Sequence, residues 1–335
     1  MAQEVENPVG SVAVTWAAVG STPVAGGDAS GLARIRLTRK ALLKQLVLRL
    51  SGQYDQSVGA ETMATEGNPV LITNIQIDMN GRKVRVTPGG GLLYEMNRVV
   101  NKGAGPKIDP SLGVAAAKVF SSALYFDMGE LDAEEAWVRE WTYLDLANSD
   151  NVFLEVQFGA FNRYVSGNTQ ANMSATLTVE ELDILGVRRL PQAHFEAIKV
   201  QVASLVNAQT DAPLDLIRRK AVTRALLLRY GTLSATPIVT GNAASLTNLA
   251  VKGTLNQGTT QDLKQKMPIA AYQQTVGIGR NGISLLAGYI LIDFAHNRKA
   301  AGKIVGENYT DLRLLIDNSA LAGGSLEVFQ LATRR

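Results

Sequence analysis

Two segments of the chain, 180 positions apart, are close to copies of each other. Residues 39–49 (RKALLKQLVLR) align without a gap with residues 219–229 (RKAVTRALLLR). A period near half the chain length predicts two copies of one structural module, and this constrains the fold more than any local motif does.

Three further matches follow in the same order along the chain. Residues 71–77 align with 245–251, residues 124–127 with 290–293, and residues 176–179 with 325–328, at offsets of 174, 166 and 149. The steady fall of the offset predicts that the second module has shorter loops, because loops tolerate deletions better than core strands do.

The composition is that of a folded chain with no covalent staples. The 335 residues are 46% hydrophobic and 19% charged, with a net charge of +3 and no cysteine. This length allows two domains, and disulfides and thiolate metal sites are excluded. The net charge is too small to indicate a nucleic-acid binder.

The acidic N-terminus does not resemble a signal peptide, and the most apolar window, residues 283–292, is about half the length of a membrane-spanning helix. We therefore expect a soluble chain made in a reducing cytoplasm.

Strand patterns dominate both halves. Residues 75–79 and 84–86 alternate apolar and polar side chains around Asn80-Gly81, a strong signal for a β-hairpin with a type I′ turn. Short helices are predicted at residues 92–100, 133–141 and 269–276. The other predicted strands are residues 12–16, 46–50, 119–127, 152–158, 175–185, 198–206, 225–230, 246–251, 289–294, 311–316 and 325–331.

Strand patterning breaks at residues 186–191, which contain a basic pair and a proline. We therefore predict a first module at residues 1–190 and a second at residues 191–335. Each would hold seven or eight strands, the number in a jelly roll. The expected fold class is all-β: two tandem jelly-roll β-sandwiches (a double jelly roll) with a few short helices.

The usual signatures of catalysis and cofactor binding lack their context. Residues 277–282 fit G-x-G-x-x-G, but no strand precedes them and no acidic residue follows at the required distance. His194 and His296 are the only histidines and have no metal-ligand spacing, so they do not supply a ligand cluster. A Ser-His-Asp triad would have to use one of them, and the sequence contains no G-x-S-x-G elbow. The acidic pairs Glu134-Glu135 and Glu180-Glu181 are interpreted as solvated structural residues. The sequence predicts no catalytic residue, no cofactor and no metal.

One charged feature supports a hypothesis about contacts. Basic residues precede or begin the repeated strand in both copies, so they should occupy equivalent places on the two modules. They are interpreted as solvated edges or subunit contacts, with contact to anionic lipid or nucleic acid as the alternative. These residues are Arg34, Arg36, Arg39, Lys40, Lys44, Arg218, Arg219, Lys220 and Arg224.

The duplicated pattern resembles the double jelly-roll major capsid proteins of tailless icosahedral viruses, including bacteriophages with an internal membrane. The resemblance rests on the strands around residues 40–49 and 220–229, taken as module-opening strands, the Thr-Asn strands at Thr73 and Thr247, and the closing strands at Leu177 and Leu326. The first module departs from the second by an insertion around residues 129–142.

The resemblance implies a homotrimer whose six modules form a pseudo-hexagonal capsomer of a virion shell, assembled in the host cytoplasm. It implies contacts with neighbouring capsomers and vertex or minor capsid proteins, and with a viral inner membrane or genome on the interior face. Two alternatives remain: a double-sandwich glycan or glycoprotein hydrolase that uses a carboxylate pair, and a minor virion protein such as a spike or vertex protein.

Overall fold

In the computed structural model the chain is almost entirely β-sheet. The structure describes residues 3–16, 31–38, 42–56, 60–87, 89–99, 104–113, 115–129, 142–147, 149–167, 170–185, 194–235, 237–241, 246–273, 285–294 and 303–334. These residues form two compact units. The first holds the described residues up to 129, those from 142 to 185, and residues 237–238; the second holds residues 194–235 and those from 239 onward.

The first unit contains twelve described strands and one α-helix. The strands are β1 (Gln3–Thr15), β2 (Leu32–Arg36), β3 (Leu42–Gln56), β4 (Glu61–Met63), β5 (Ile72–Met79), β6 (Arg82–Thr87), β7 (Lys107–Ile108), β8 (Ala115–Asp127), β9 (Leu144–Asp145), β10 (Val152–Phe158), β11 (Val165–Gly167) and β12 (Gln170–Leu185). The helix α1 (Gly90–Val99) confirms the helix predicted at residues 92–100.

The second unit contains ten described strands. They are β13 (His194–Ser204), β14 (Gln209–Asp215), β15 (Ala221–Thr232), β16 (Val239–Thr240), β17 (Leu246–Leu255), β18 (Thr260–Pro268), β19 (Tyr289–Asp293), β20 (Ile304–Val305), β21 (Tyr309–Asn318) and β22 (Ser325–Arg334). Residues 269–273 are helical, which confirms the start of the helix predicted there; its end, like the predicted helix at 133–141, lies outside the described residues.

Each unit is a jelly roll built on a six-stranded and a four-stranded antiparallel sheet, and the first unit adds a two-stranded sheet of β4 and β11. In the first, the six-stranded sheet has the order β1-β12-β3-β8-β7 with β9 also paired to β3, and the four-stranded sheet has the order β2-β10-β5-β6. In the second, the order is β13-β22-β15-β16 with β19 and β20 also paired to β15, and β14-β21-β17-β18. The predicted all-β double jelly roll is confirmed. Eight strands of each unit have the same order: β1-β12-β3-β8 and β2-β10-β5-β6 in the first unit correspond to β13-β22-β15-β19 and β14-β21-β17-β18 in the second.

Strand register supports the predicted equivalence residue by residue. Leu48 lies opposite Leu124 and Val179 in the first unit, and Leu228 lies opposite Ile290 and Val328 in the second. These partners are separated by the offsets of 180, 166 and 149 found in the sequence. On the neighbouring sheet, the Thr73 hydroxyl donates to the Gln157 carbonyl, and the Thr247 hydroxyl donates to the Asp317 carbonyl.

The core of each unit lies between its two sheets. Alternation along the strands places aliphatic side chains inward, where burial of apolar area stabilises the sandwich. Fully buried examples are Leu46, Leu48, Leu124, Leu154, Leu177 and Val179 in the first unit, and Leu226, Leu228, Ile290, Leu314, Ile316 and Val328 in the second.

The predicted hairpin is confirmed. β5 and β6 are joined by Asn80 and Gly81, which have φ angles of 54° and 79°, as a type I′ turn requires. Nine strands were missed: six of only two or three residues each, and the longer strands β2, β14 and β18. Both β14 and β18 are largely exposed edge strands, so their side chains do not alternate between apolar and polar. Strand β2 is short, with Ala33 and Ile35 as its buried residues.

The repeated strand opens neither module. β3 and β15 are each the third strand of their unit and lie inside the six-stranded sheet, where β12 and β8 flank β3, and β22 and β19 flank β15. Both strands are paired along both edges, and residues 46–48 and 225–228 are buried on both faces, which accounts for the apolar runs in the sequence.

Candidate functional site: the two basic corners

The predicted basic residues that the structure describes lie at two equivalent corners, where the chain passes from the four-stranded to the six-stranded sheet. We call residues 34–44, which lead from β2 into β3, the first basic corner, and residues 218–224, which lead from β14 into β15, the second basic corner. Arg39 and Lys40 lie outside the described residues. The sequence-based expectation of equivalent placement thus agrees with the strand order.

In the first basic corner, Arg34 and Arg36 project from the exposed face of β2. Arg34 Nε lies 3.1 Å from Glu155 Oε1, and its guanidinium carbon lies 4.0 Å from the centre of the Phe153 ring. Because the Arg34 side chain is 53% exposed, water screens these interactions and their contribution to stability is small. Arg36 is exposed as well, so this corner presents cations to the solvent.

In the second basic corner, Arg218 is held by the backbone of its own unit. Its Nη1 donates to the carbonyl of Tyr309 at 3.0 Å and also to that of Thr310. Arg219 and Lys220 form the exposed turn before β15, and Lys220 has a φ of 55°. This corner therefore presents Arg219 and Lys220 rather than Arg218 as its most available charges.

Lys44 and Arg224 occupy the same β-bulge in the two modules. The register of β3 against β12 shifts at Lys44, between Gln45 opposite Leu182 and Leu43 opposite Asp183. The register of β15 against β22 shifts in the same way at Arg224. The carbonyls of Lys44 and Arg224 accept the amides of Met128 and Phe294, each at 2.9 Å.

The bulge changes the interpretation of Arg224. Its side chain is only 1% exposed, whereas Lys44 is half-buried. A bulge aims one extra side chain away from the regular alternation and bends the strand. Arg224 is therefore a buried residue of the fold and not a solvated edge charge, which corrects the sequence-based interpretation for this position.

A side chain of β12 or β22 holds the backbone at, or next to, each corner by hydrogen bonds. In the first module, Glu181 Oε1 accepts the amide of Thr38 at 2.7 Å. In the second, Gln330 Oε1 accepts the amide of Ile217 at 2.9 Å, and Gln330 Nε2 donates to the Ile217 carbonyl at 2.7 Å. Glu181 lies opposite Leu46 and Gln330 opposite Leu226, so the two side chains hold equivalent positions.

Burial raises the pKa of Glu181 and of its neighbour Asp183. Glu181 is 0% exposed, and Asp183, two residues further on the same face, is 2% exposed. Burial, with the neighbouring Glu181, raises the pKa of Asp183 to about 7, and burial also raises the pKa of Glu181. Sequence reasoning missed this pair, although the alternation of Leu177, Val179, Glu181 and Asp183 was a signal that both acids face inward.

The acidic pairs considered in the sequence do not form a catalytic cleft among the described residues. Glu180 and Glu181 are consecutive in β12 and point to opposite faces: Glu180 accepts from Arg49 Nε at 3.1 Å and Nη2 at 3.0 Å, while Glu181 is buried. Glu134 and Glu135 lie outside the described residues. A glycosidase needs two carboxyl groups across an open cleft, which Glu180 and Glu181 do not provide.

The other candidates for chemistry are not brought together in the described part of the chain. His296 and the glycine-rich segment 277–282 lie outside the described residues. His194 is the first residue of β13. No group of three or more metal-binding side chains occurs among the described residues. None of the helices described is long and apolar enough to cross a bilayer.

The first unit also contains a buried ion pair. Lys118 Nζ contacts Glu61, donates to the Ser111 carbonyl at 3.1 Å, and has side-chain exposure of only 4%. Nearby, Asp109 Oδ1 accepts from the Tyr164 hydroxyl at 3.0 Å and from the Asn68 amide at 2.8 Å. These contacts tie the segment 104–113 to the sheets.

Comparison with known proteins places this fold. No protein-family model matches the chain, and no curated protein sequence is similar to it. The major capsid protein of Sulfolobus turreted icosahedral virus is similar over 99% of this chain and 97% of its own, with 13% identity and a TM-score of 0.69. The major capsid protein P2 of bacteriophage PM2 covers 98% of this chain and 97% of its own, with 13% identity and a TM-score of 0.55. VP54 of the virus PBCV-1 covers 100% and 94%, with 10% identity and a TM-score of 0.60.

These similarities extend over both jelly rolls rather than one. They carry no transferable site, since identities of 10–13% establish common architecture alone. Together with the repeated register and the two equivalent corners, they show that this chain has the double jelly-roll fold of viral major capsid proteins.

Proposed function

We propose that this chain is a non-enzymatic major capsid protein that assembles as a homotrimer. Its two modules, residues 1–190 and 191–335, would give each trimer six similar jelly rolls and a pseudo-hexagonal outline. The observation that carries the proposal is the residue-by-residue equivalence of the two modules across the ladders of both six-stranded sheets. It is supported by whole-chain similarity in fold to major capsid proteins.

The physical argument is one of symmetry. A contact between one module of a subunit and the other module of its neighbour is heterologous, and heterologous contacts close into rings when the rotation between subunits allows it. Because the modules are alike, three subunits present six nearly equivalent outer faces, which suits a shell built from hexagonal tiles. The proposed location is the virion, after assembly in the host cytoplasm.

The proposed partners are neighbouring capsomers, vertex or minor capsid proteins, and a viral inner membrane or genome on the interior face. The exposed cations of the basic corners, Arg36 in the first and Arg219 and Lys220 in the second, are the proposed contacts with subunits or an anionic surface. The described residues do not support the alternative function of a hydrolase that uses a carboxylate pair. Of the pair considered, Glu180 is ion-paired with Arg49 and Glu181 is buried.

The test is the mass and shape of the purified protein. Sedimentation velocity is expected to give a species of three times the 35.9 kDa chain mass, and negative-stain images are expected to show particles with a pseudo-hexagonal outline. A stable monomer at all concentrations, together with the absence of capsid-like particles, would overturn the proposal.

The contact role of the second basic corner has its own test. The double variant Arg219→Glu with Lys220→Glu is expected to weaken assembly of trimers into larger shells. The matched control is Arg82→Glu with Lys83→Glu, which reverses two consecutive exposed cations at the start of β6. Equal assembly of both double variants and the parent protein would remove the corner from the proposed contacts.

A further inference from the structure

The tip of the β5–β6 hairpin is a site of spontaneous covalent chemistry. In an Asn-Gly pair the backbone nitrogen of the glycine can attack Cγ of the asparagine, because glycine has no Cβ to hinder the approach. Asn80 and Gly81 form such a pair, and both are exposed to water. The reacting atoms and the solvent are therefore all present, and only the conformation of the turn decides whether they react.

The reaction needs water and no other reagent. The Gly81 nitrogen loses its proton and bonds to Cγ of Asn80, while the Cγ–Nδ2 bond breaks and ammonia leaves with that proton. The product is a five-membered succinimide ring, which one water molecule opens at either of its carbonyl carbons. The residue becomes aspartate or isoaspartate. Isoaspartate adds one carbon to the main chain, so the two-residue turn that fixes the register of the hairpin cannot form again.

The type I′ turn keeps the reacting atoms apart. A planar five-membered ring requires Cβ of Asn80 and the nitrogen of Gly81 to be nearly eclipsed about the Cα–C bond. The first central residue of a type I′ turn has ψ near about 30°, which places these two atoms on opposite sides of that bond. The φ angles of 54° and 79° at Asn80 and Gly81 belong to this turn. Ring closure therefore requires the hairpin tip to open first.

Hydrogen bonds hold the tip closed at both reacting residues. The amide of Gly81 donates to Asp78 Oδ1 at 2.8 Å. Asn80 Oδ1 accepts the amide of Asn151 at 3.0 Å, and the amide of Asn80 donates to the Asn151 carbonyl at 2.8 Å. The nucleophile and the side chain that it would attack are thus each bound to a different partner.

Asp78 acts on the nucleophile in two ways. Its carboxylate accepts the very proton that the Gly81 nitrogen has to lose, which keeps that nitrogen in the turn. Its negative charge also disfavours the formation of a second negative charge on the nitrogen beside it. Both effects slow the attack, and both depend on a single side chain.

The equivalent hairpin of the second module does not contain this dipeptide. At the tip between β17 and β18, the amide of Asn256 donates to the Asn308 carbonyl at 3.1 Å, and its Nδ2 donates to the Glu307 carbonyl at 2.8 Å. The next residue is Gln257, whose side chain hinders attack by its own nitrogen. The reactive pair and its guarding carboxylate therefore belong to the first of these two hairpins.

We propose that Asn80 is a latent deamidation site, that the folded hairpin keeps it closed, and that Asp78 guards it. Because the reaction proceeds from the opened tip, its rate falls with the fraction of molecules in which the tip is open. A hydrogen bond of ordinary net strength corresponds to about a fivefold change in that fraction, and the two side-chain hydrogen bonds together correspond to about 25-fold.

The test is peptide mass spectrometry of the full chain after incubation in weakly alkaline buffer, folded or unfolded in urea, following the mass increase from amide to acid. The chain provides its own reference, because Asn281-Gly282 is the same dipeptide. In urea, Asn80 and Asn281 are expected to convert at similar rates. In the folded protein, Asn80 is expected to convert at least about 25-fold more slowly than in urea. Equal rates at Asn80 in the two conditions would overturn the proposal.

Substitutions at position 78 test the guard. Asp78→Ala is expected to speed conversion of folded Asn80 about fivefold and to leave its rate in urea unchanged, whereas Asp78→Asn retains an acceptor oxygen and is expected to stay within about twofold of the parent. The matched control is Asp262→Ala, which removes an exposed carboxylate from β18 and is expected to have no effect on Asn80.

Thermal unfolding identifies the variants that remain folded. A folded Asp78→Ala protein that converts at the parent rate or more slowly would overturn the role of Asp78, as would an Asp78→Asn protein that converts as fast as Asp78→Ala. These measurements apply to the chain in any state of assembly, so they stand apart from the proposed function.

Discussion

Ion pairs at related positions of the two modules should differ sharply in what they contribute to stability. In the second module, Glu327 contacts Arg229 Nη1 at 3.1 Å and Lys199 Nζ at 2.5 Å, and the side chains of Glu327 and Arg229 are only 16% and 12% exposed. In the first module, Glu180 pairs with Arg49 at 3.0 Å, but the arginine side chain is 49% exposed. The perturbation to compare is Glu327→Gln against Glu180→Gln, which keeps the shape and removes the charge.

The magnitudes follow from burial. Breaking a fully buried pair costs about 3–5 kcal/mol, and the partial exposure of Lys199 lowers the expected loss for Glu327→Gln to about 2 kcal/mol. An exposed pair such as that of Glu180 contributes about 0.5 kcal/mol or less. Glu327→Gln should therefore weaken its module several times more than Glu180→Gln weakens the other.

The assay has to report each module separately, because a chain of two units need not unfold in one step. Hydrogen exchange of peptides from β15 and β22 reports the second module, and exchange of peptides from β3 and β12 reports the first. Equal losses of opening free energy in the two variants, or a larger loss for Glu180→Gln, would refute the argument from burial.

Three further outcomes are expected. Gly81→Ala should lower the free energy of unfolding by about 1 kcal/mol, because the positive φ at this position strains any residue with a Cβ. Gly231→Ala should lower it by more than about 3 kcal/mol, because the added Cβ would also collide with the Val239 carbonyl oxygen. Thermal unfolding of the two variants measures the difference. Thr73→Val and Thr247→Val should each lose about 1 kcal/mol, and unequal losses in hydrogen exchange of β5 and β17 would contradict their equivalence. Burial alone would raise the pKa of Glu327, but Arg229 and Lys199 outweigh it, so the pKa of this carboxyl is lowered. The stability that its ion pairs contribute should therefore be present above about pH 4.5 and fade as the pH drops further. Hydrogen exchange of β22 in increasing acid would measure this loss.

Much of the fold was predictable because its most buried strands carry its clearest patterns. β10 was predicted with its observed bounds, and the turn at Asn80 and Gly81 followed from the conformations those residues tolerate. The duplication was visible because residues 46–48 of β3 and 225–228 of β15 are buried on both faces, so both strands retain apolar runs. Edge strands such as β14 and β18 escaped prediction, since backbone pairing rather than side-chain alternation holds them in the sheet.

The candidate site was predictable in location but not in role. The basic residues marked both corners correctly in the strand order, yet nothing in the one-dimensional pattern indicated that Arg224 would be buried at a bulge. A bulge depends on how two strands pair, which neighbouring residues along one strand do not encode. Likewise, Glu181 and Gln330 become recognisable as counterparts only when the registers of β12 and β22 are compared.

The shrinking offset between the modules is also a map of where this architecture tolerates a change in length. It falls from 180 at β3 and β15 to 174 at β5 and β17, 166 at β8 and β19, 160 at β10 and β21, and 149 at β12 and β22. Each step falls between two of these strands, and the largest, eleven residues, falls between β10 and β12 in the first module and between β21 and β22 in the second. For an engineer who wishes to display a peptide on such a scaffold, residues 319–324 are the natural insertion point, because the first module already carries a longer segment at the equivalent place.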